Sequence, residues 1–392
     1  MLAFALLACS AAQPAQAPDY SRTFDFVTRQ LNKMCTLVGD GYPDYTVGGK
    51  WKSAGPSEWT AGYFPGMLWK VYERTKDPRW LERARRWTEP IAAFRNSGRD
   101  LNFGLLFKPT FAEAHRLTGN GMYRQMALEA AAALAKRYMP EGKYLRSWGR
   151  LEDPAEQGYI IIDCLIDLSL LFWAAKEEAN PFFFQIAHNH ALTTLRAAVR
   201  EDGSSVQVIE LDPRTGEKRW DRHKQGYSVS SCWSRGQAWA IYAFPEIYWH
   251  TKDYRFLKTA QKMADYYIEH LPADWVPYWD FLAPNIPNEP RDSSAAALAA
   301  VGLWELARMA AEPARQKRYR EAAEKTVASL TSNYLARGAA EAEGRILIHG
   351  TLHKPAGIGV DESLIFGDYY YLEALLRMLD GRPVPVPAAP LR

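Results

Sequence analysis

A short phrase recurs between pairs of helical stretches, and it constrains the fold more than any other feature of this chain. It reads Thr75-Lys76-Asp77-Pro78-Arg79-Trp80 and again Thr251-Lys252-Asp253-Tyr254-Arg255-Phe256. A copy with glycine spans residues 118–123, and looser copies span residues 179–184 and 312–319. Each copy combines a helix stop, a tight turn and an aromatic residue that opens the next helix. Units spaced by about 40 to 70 residues predict an array of helical hairpins.

The helices on the two sides of this phrase differ in composition. The preceding helix is apolar and rich in aromatic residues, whereas the following one is mostly rich in Ala, Arg, Glu and Lys. This difference predicts a closed helical toroid, with first helices inside and second helices outside. Polar residues cluster where the inner helices are expected to begin, near Thr60, Gly104, Asp163, Arg235, Ser293 and Ser363. We expect one all-α domain over residues 18–380.

Composition limits the compartment and the partners. The net charge of +3 and the absence of a long Lys/Arg run argue against a nucleic-acid partner or a membrane surface. We expect no membrane span, and a monomer or weak dimer. Residues 1–17 are apolar and then small, which indicates a secretory signal or a lipoprotein signal with Cys9 as acceptor. The protein is therefore expected to be periplasmic or secreted and bacterial, with a Pro-rich tail at 381–392.

Three cysteines, Cys35, Cys164 and Cys232, remain beyond this leader. Their odd number and irregular spacing predict free buried thiols rather than disulfides. No spacing of Cys and His predicts a zinc site.

All inner helices of a hairpin toroid run in the same direction, so their N-termini meet at one mouth. Helix N-termini carry partial positive charge and unpaired N–H groups, and this mouth should therefore favour an anionic ligand. The alternative for Thr60, Asp292 and Ser293 is ordinary helix capping.

Asp163 lies in the run 158–173, which is apolar on both sides of it. Burial raises a carboxyl pKa towards the range in which the group can both give and take a proton. The alternative is a cap or a satisfied buried carboxylate. Asp167, one turn later, is expected to be structural.

Arg235 and Trp239 are four residues apart in the phrase 233–239 and should share one helical face. Arginine binds a planar carboxylate through two parallel hydrogen bonds, so this pair could hold a uronic acid. The alternative is an arginine buried against a structural aspartate.

Several phrases together resemble the unsaturated glucuronyl hydrolases of glycoside hydrolase family 88. The matching phrases are at 59–69, 147–149, 160–163, 203–204, 212–213, 225–227, 233–239, 291–297 and 367–370. The resemblance implies a six-hairpin (α/α)6 barrel and removal of 4,5-unsaturated uronic acid from the non-reducing end of polysaccharide-lyase products. It implies hydration of the C4=C5 enol ether, with no metal or other cofactor.

The resemblance also implies roles for individual residues. Asp163 matches the general acid/base, and Trp148 matches a stacking residue. The remaining residues that match the surroundings of the unsaturated sugar are Trp59, Gln225, Arg235 and Trp239, with Arg235 on its carboxylate. Lys354, in the loop 350–355, is expected to meet a sulfate or carboxylate, or to be a solvated loop residue.

Two positions depart from the family pattern. Asn102 stands where the ungapped match places a second essential aspartate, unless Asp100 takes that place after a local shift. We expect an impaired enzyme that still binds substrate, either through an engineered substitution or as a natural variant. Gln207 stands where a histidine is frequent, and it can donate a hydrogen bond but carry no charge.

Two other activities remain open. A related barrel family acts on unsaturated galacturonic acid linked to rhamnose in pectin fragments. Sugar 2-epimerases use a similar toroid with paired histidines facing the cavity. The sequence does not identify the parent polysaccharide.

Overall fold

The computed structural model describes residues 18–97 and 102–381. Its helices are α1 (Tyr20–Leu37), α2 (Tyr63–Thr75), α3 (Pro78–Thr88), α4 (Phe103–Phe107), α5 (Glu113–Thr118), α6 (Gly121–Ala135), α7 (Leu168–Glu177), α8 (Pro181–Ala198), α9 (Ser234–Thr251), α10 (Tyr254–Glu269), α11 (Ser293–Met309), α12 (Pro313–Asn333), α13 (Ala339–Ala342) and α14 (Ile365–Asp380). A π-helical turn, Lys108–Ala112, joins α4 to α5. The signal and the tail expected at the two ends lie outside the described residues, apart from Gly381, as does Asp100.

The recurring phrase forms the same turn in each clear copy. The Thr75 hydroxyl oxygen accepts a hydrogen bond from the backbone N–H of Asp77 at 3.3 Å. Lys76 adopts the left-handed conformation with φ 55°, and the Asp77 carboxylate caps α3 by accepting the N–H of Arg79. The copy at Thr251 repeats these bonds around a left-handed Lys252. Trp80 and Phe256 then bury their rings in the core. The phrase therefore closes each hairpin by capping both helices.

The inner helices form a ring, as predicted. Helix α2 contacts α14, α14 contacts α11, α11 contacts α9, α9 contacts α7, and α7 contacts α4. The second helix of each hairpin packs outside its partner, and α1 packs against α14 to complete the sixth pair. The predicted starts of the inner helices are correct to within five residues, and α11 begins at Ser293 itself. The architecture is an (α/α)6 barrel.

Short strands, which the sequence did not predict, decorate the loops of the barrel. They are β1 (Tyr42–Val47), β2 (Lys50–Ala54), β3 (Tyr138–Met139), β4 (Tyr144–Leu145), β5 (Tyr159–Ile161), β6 (Val208–Leu211), β7 (Lys218–Arg222), β8 (Gly350–His353) and β9 (Ile358–Glu362). Strands β5, β6 and β7 form one antiparallel sheet in that order. This sheet leads directly into the turn that carries Asp163.

Among the described helices, none is both long and apolar enough to cross a membrane. The three cysteines are free and buried, as predicted.

Candidate active site

The two mouths of the barrel differ in their chemistry. A cavity of about 880 Å³ is lined largely by residues from the C-terminal halves of inner helices. Many of its charged side chains pair with one another, including Lys70 with Glu373 and Arg308 with Glu305. Cations near helix C-termini compensate the negative end of the helix dipole. The residues predicted to act on a sugar lie at the other mouth.

Asp163 lies in a 3-10 turn, Ile162–Leu165, between β5 and α7. The side chain is half-buried, and its Oδ1 atom is shielded from solvent without a hydrogen-bond partner among the described residues. Burial raises the pKa of Asp163 to about 6, and the nearby cations Arg235 and Lys224 oppose this rise. A buried carboxyl oxygen without a partner costs free energy, which is typical of a group reserved for a ligand. Asp163 is therefore suited to exchange a proton near neutral pH.

Asp167 joins the Asp163 turn to the start of α4. Its Oδ1 atom accepts the backbone N–H of Gly104 at 2.7 Å, and its Oδ2 atom accepts that of Asn102 at 3.2 Å. Helix α4 has no cap from its own Asn102 side chain, so Asp167 caps it from another helix. A Cβ on Gly104 would lie 2.3 Å from the Asp167 Cα atom, which explains the glycine. The structural role expected for Asp167 is confirmed.

Asn102 is held beside this turn in a left-handed conformation with φ 86°. Asparagine tolerates this region better than most residues. The side chain is half-buried. Asp167, four residues after Asp163, thus links the backbone of Asn102 to the segment that carries Asp163.

Arg235 is not placed at the pocket surface as the resemblance implies. The side chain is 1% exposed and pairs with Asp292 at 2.6 Å. Its guanidinium also donates to the carbonyl oxygens of Thr351 and Leu352. Asp292 in turn caps α11 through the N–H groups of Ser294 and Ala295. The alternative of an arginine buried against a structural aspartate fits these contacts, and Arg235 acts on Asp163 through its charge.

Two other residues that were predicted to contact the substrate, Gln207 and Gln225, are hydrogen-bonded to other parts of the protein. Gln207 is buried, donates to Gln225 Oε1 at 2.8 Å and accepts the N–H groups of Lys224 and Gln225. Gln225 also donates to the Leu352 carbonyl at 3.0 Å. Gln207 therefore organises the turn at 224–226 through hydrogen bonds that require no charge.

The aromatic predictions divide into two groups. Trp59 and Trp148 are half-buried at the mouth. The Trp59 ring centroid lies 5.2 Å from that of Phe366, and the Trp148 ring centroid lies 5.9 Å from that of Tyr159. Trp239 is 1% exposed and packs against Phe366 and Tyr370, so its face is not available for stacking. Its indole Nε1 is buried and has no partner among the described residues. Lys354 is half-buried and begins the short 3-10 turn Lys354–Ala356 between β8 and β9.

Lys224 was not singled out from the sequence. Its Nζ atom lies 5.2 Å from the Trp148 ring centroid. Burial raises the pKa of Asp163 and lowers that of His353, and the Lys224 charge opposes the first shift and adds to the second. The sequence feature that could have identified Lys224 is its position directly before Gln225, which the family resemblance had already selected.

Comparison with known proteins agrees with this geometry. The family model described as Glycosyl Hydrolase Family 88 matches residues 32–380. The chain is 38% identical over 350 residues to the unsaturated glucuronyl hydrolase of Bacillus sp. strain GL1, covering 88% of this chain and 92% of that one. It is 33% identical to the unsaturated chondroitin disaccharide hydrolase of Streptococcus pneumoniae strain ATCC BAA-255 / R6, covering 92% and 91%.

Solved structures show the same relationship. The crystal structure of the Bacillus sp. GL1 enzyme superposes with a TM-score of 0.88 at 34% identity, covering 92% of this chain and 97% of that one. A mutant of the Streptococcus agalactiae enzyme complexed with dGlcA-GalNAc6S superposes with a TM-score of 0.80 at 31% identity, covering 92% and 91%. The chain belongs to glycosyl hydrolase family 88, the family of the unsaturated glucuronyl hydrolases.

Proposed function

We propose that this protein removes 4,5-unsaturated uronic acid from the non-reducing end of oligosaccharides that polysaccharide lyases release, with Asp163 as general acid and base. The observation that carries the proposal is the half-buried carboxyl of Asp163, with a pKa raised to about 6 and a buried Oδ1 atom that has no hydrogen-bond partner among residues 18–97 and 102–381. Relatives named unsaturated chondroitin disaccharide hydrolase support chondroitin disaccharides as one substrate class.

The chemistry follows from the substrate, whose C4=C5 double bond is an enol ether. The Asp163 carboxyl donates its proton to C4, and positive charge develops at C5 and on the ring oxygen. Water adds to C5 while the Asp163 carboxylate takes the proton of that water. The resulting hemiketal opens, and the glycosidic bond breaks without direct attack at C1, unlike the usual two-carboxylate displacement.

Arg235 and Lys224 support this cycle by their charge. Both cations lower the pKa of Asp163, so they keep a carboxylate available for the second half of the reaction. Because Arg235 is locked by Asp292, this charge has a fixed position. Preorganised charge of this kind needs no rearrangement during the reaction.

The test follows the loss of ultraviolet absorbance of the double bond with unsaturated chondroitin, heparin and pectin disaccharides. Asp163→Asn should lower kcat by about 10²–10⁴-fold while substrate binding, measured by calorimetry, persists. Asp40→Asn is the matched control, because the Asp40 side chain is 96% exposed on the surface. Retention of more than about a tenth of the activity in Asp163→Asn would contradict the assignment.

A further inference from the structure

The cavity of about 880 Å³ at the mouth opposite Asp163, which we call the lower cavity, has no role in the proposed reaction. Among the described residues, its lining includes neither Asp163 nor the tryptophans and glutamines that the resemblance selected. It does include Gly104, which is bonded to Asp167, and Ile166, which precedes Asp167 in the chain. Volumes of about 300–1,000 Å³ are typical of sites for small molecules.

A ring of charged side chains lines the lower cavity. The inner helices α2, α5, α9, α11 and α14 each supply one glutamate and one cation, the cation of α9 being the residue directly after its end. The glutamates are Glu73, Glu113, Glu246, Glu305 and Glu373, and the cations are Lys70, Arg116, Lys252, Arg308 and Arg377. Cations near helix C-termini compensate the helix dipole, but glutamates there oppose it. The dipole therefore does not account for the acidic half of the ring.

The turn Lys108–Ala112 adds Lys108 and Pro109 to the lining. This turn is π-helical, and such turns inside α-helices are frequent at functional sites because they displace side chains from the regular helical positions. Lys108 is the sixth cation of the ring and pairs with Glu113 at 3.2 Å.

Ion pairs neutralise most of the ring. The pairs are Lys70–Glu373, Lys108–Glu113, Arg116–Glu73, Arg308–Glu305 and Arg377–Glu305, at distances from 2.7 to 3.6 Å. Six cations therefore face five glutamates, and the lower cavity has little net charge with which to select an anion or a cation.

Two buried side chains of the ring keep unused hydrogen-bonding capacity. The side chains of Glu373 and Arg308 are 9% and 7% exposed. Glu373 Oε2 and Arg308 Nε have no hydrogen-bond partner among the described residues, and Lys70 Nζ lies 3.6 Å from the Glu373 oxygen. Buried polar atoms without partners are rare in folded proteins, so one acceptor and one donor are left for a ligand.

Glu246 is a further acceptor in the lining. Its ion pair among the described residues is with His250 at 4.0 Å, and burial lowers the pKa of that imidazole to about 4, so His250 is uncharged at pH 7. Burial also raises the pKa of Glu246, and the charges of Glu373 and Glu305 add to this rise. The Glu246 carboxyl therefore gains from a hydrogen-bond donor that approaches through the cavity.

Tyrosines form the walls between these charges. Tyr63 and Tyr369 have ring centroids 5.2 Å apart, and Tyr242 and Tyr370 have ring centroids 5.1 Å apart. All four line the cavity, and the Tyr242 hydroxyl donates to Glu373 Oε1 at 3.4 Å. A tyrosine offers an apolar ring face and a polar hydroxyl, so it can pack against a carbon skeleton and also hydrogen-bond to its substituents.

We infer that the lower cavity is a second binding site, separate from Asp163, for a small uncharged ligand that carries several hydroxyl groups, such as a neutral mono- or disaccharide. A hydroxyl group both donates and accepts hydrogen bonds. Neighbouring hydroxyls can therefore donate to Glu246 and Glu373 while another accepts from Arg308. An ionic ligand would bring a charge for which the paired ring has no free counter-charge of matching strength, and burying such a charge is costly.

The test is calorimetry on the whole chain with lactose and glucose as neutral probes, and with gluconate and glucosamine as an anionic and a cationic probe. We expect a Kd of about 1 mM or lower for a neutral probe and at least about tenfold weaker binding of both charged probes. Glu246→Met and Tyr242→Phe should each weaken binding of the neutral probe by about tenfold. Glu312→Met is the matched control, because this glutamate is 61% exposed at the start of α12 and lies outside the lining.

Trp148→Ala, at the Asp163 mouth, locates the bound sugar and should leave its affinity unchanged. If Trp148→Ala weakens binding and Glu246→Met does not, the sugar binds beside Asp163 and the inference is wrong. Binding of gluconate or glucosamine as tight as that of lactose, or no binding of either neutral probe, would also overturn it. Circular dichroism checks folding, and Tyr242→Phe carries the test if Glu246→Met is not folded. None of these measurements requires turnover, so they stand whether or not an unsaturated uronide is hydrolysed.

Discussion

The carboxylate of Asp167 accepts the backbone N–H of Asn102 at 3.2 Å, so a buried acid on one inner helix holds the start of another. The family resemblance places a second aspartate at position 102, where this chain has an amide. Burial raises the pKa of Asp167 to about 7, although the N–H groups of Asn102 and Gly104 oppose this rise. A buried carboxyl group whose pKa lies near neutral pH is thus adjacent to the backbone of position 102.

This relationship changes the expected result of restoring an aspartate at position 102. Asn102→Asp would add a half-buried carboxyl group to a residue whose backbone N–H bonds the buried Asp167, and repulsion between the two carboxylates would raise the pKa of one of them. We expect the Asn102→Asp/Asp167→Asn double variant to raise kcat by about 10²-fold or more, since it places one charge where a cationic transition state needs it. The single variant should approach this gain only at higher pH. Activity on an unsaturated disaccharide between pH 5 and 9 gives the measurement.

Asp100→Asn provides the control for these variants and should change kcat much less. If Asp100 proves essential and neither variant at position 102 is faster, the second carboxylate has been misplaced by two residues. If the single and double variants behave alike at every pH, the charge of Asp167 does not affect an aspartate at position 102.

The raised pKa of Asp167 also predicts how the stability of the fold depends on pH. The pKa of Asp167 is about 7 in the folded protein and near 3.8 in the unfolded chain, so the folded protein binds the carboxyl proton of Asp167 more tightly. The contribution of this protonated carboxyl to the unfolding free energy is fully present below about pH 4. It falls as the pH rises to about 7, by at most roughly 1.4 kcal/mol per pH unit. Denaturant unfolding of Asp167→Asn should show a flatter pH dependence, whereas the exposed control Asp40→Asn should not differ from the parent.

The contacts of Arg235 predict a stability defect rather than a simple loss of substrate affinity. Arg235→Lys keeps the charge beside Asp292 but cannot also satisfy the Thr351 and Leu352 carbonyls. We expect the unfolding free energy to fall by about 1–3 kcal/mol. Arg222→Lys, at an exposed pair with Glu210, should cost less than about 1 kcal/mol. A rise in KM with unchanged stability in Arg235→Lys would instead support direct contact with the substrate carboxylate.

The sequence was sufficient to predict features that depend on neighbouring residues. The hairpin phrase predicted the turn at Thr75 because its caps and its left-handed residue lie within a few positions of each other. Asp163 could be predicted to be buried because its apolar surroundings are contiguous in the chain. The apolar, aromatic-rich composition of the first helices likewise predicted which helix of each hairpin lies inside the ring.

Partners from distant segments could not be predicted in this way. Arg235 meets Asp292 57 residues away and Thr351 116 residues away. Which carboxylate an arginine meets depends on how α9 and α11 pack, and periodicity does not contain that information. The same holds for Asp167 and Asn102, and for the small sheet formed by β5, β6 and β7.

The hairpin turns predict a direct gain in stability. Lys76 has φ 55°, a conformation that costs a residue with a Cβ about 1–2 kcal/mol but costs glycine little. Lys76→Gly should therefore raise the unfolding free energy by up to about 1 kcal/mol, after the greater entropy of glycine in the unfolded chain is subtracted. Lys76→Ala removes the same side chain but keeps the Cβ, and it should show no gain. If the unfolding free energy rises equally in Lys76→Gly and Lys76→Ala, the gain comes from removing the lysine charge and not from the backbone conformation.

The pH dependence of activity tests the electrostatic role of Lys224. If the protonated form of Asp163 starts the reaction, kcat/KM for an unsulfated disaccharide should fall as pH rises above about 6. The Lys224 charge lowers the pKa of Asp163, so Lys224→Met should move this descending limb to higher pH. Lys218→Met, which removes a lysine of β7 that pairs with Asp221, should leave the limb in place. If the descending limb stays at the same pH in a folded Lys224→Met variant, Lys224 does not affect the pKa of Asp163.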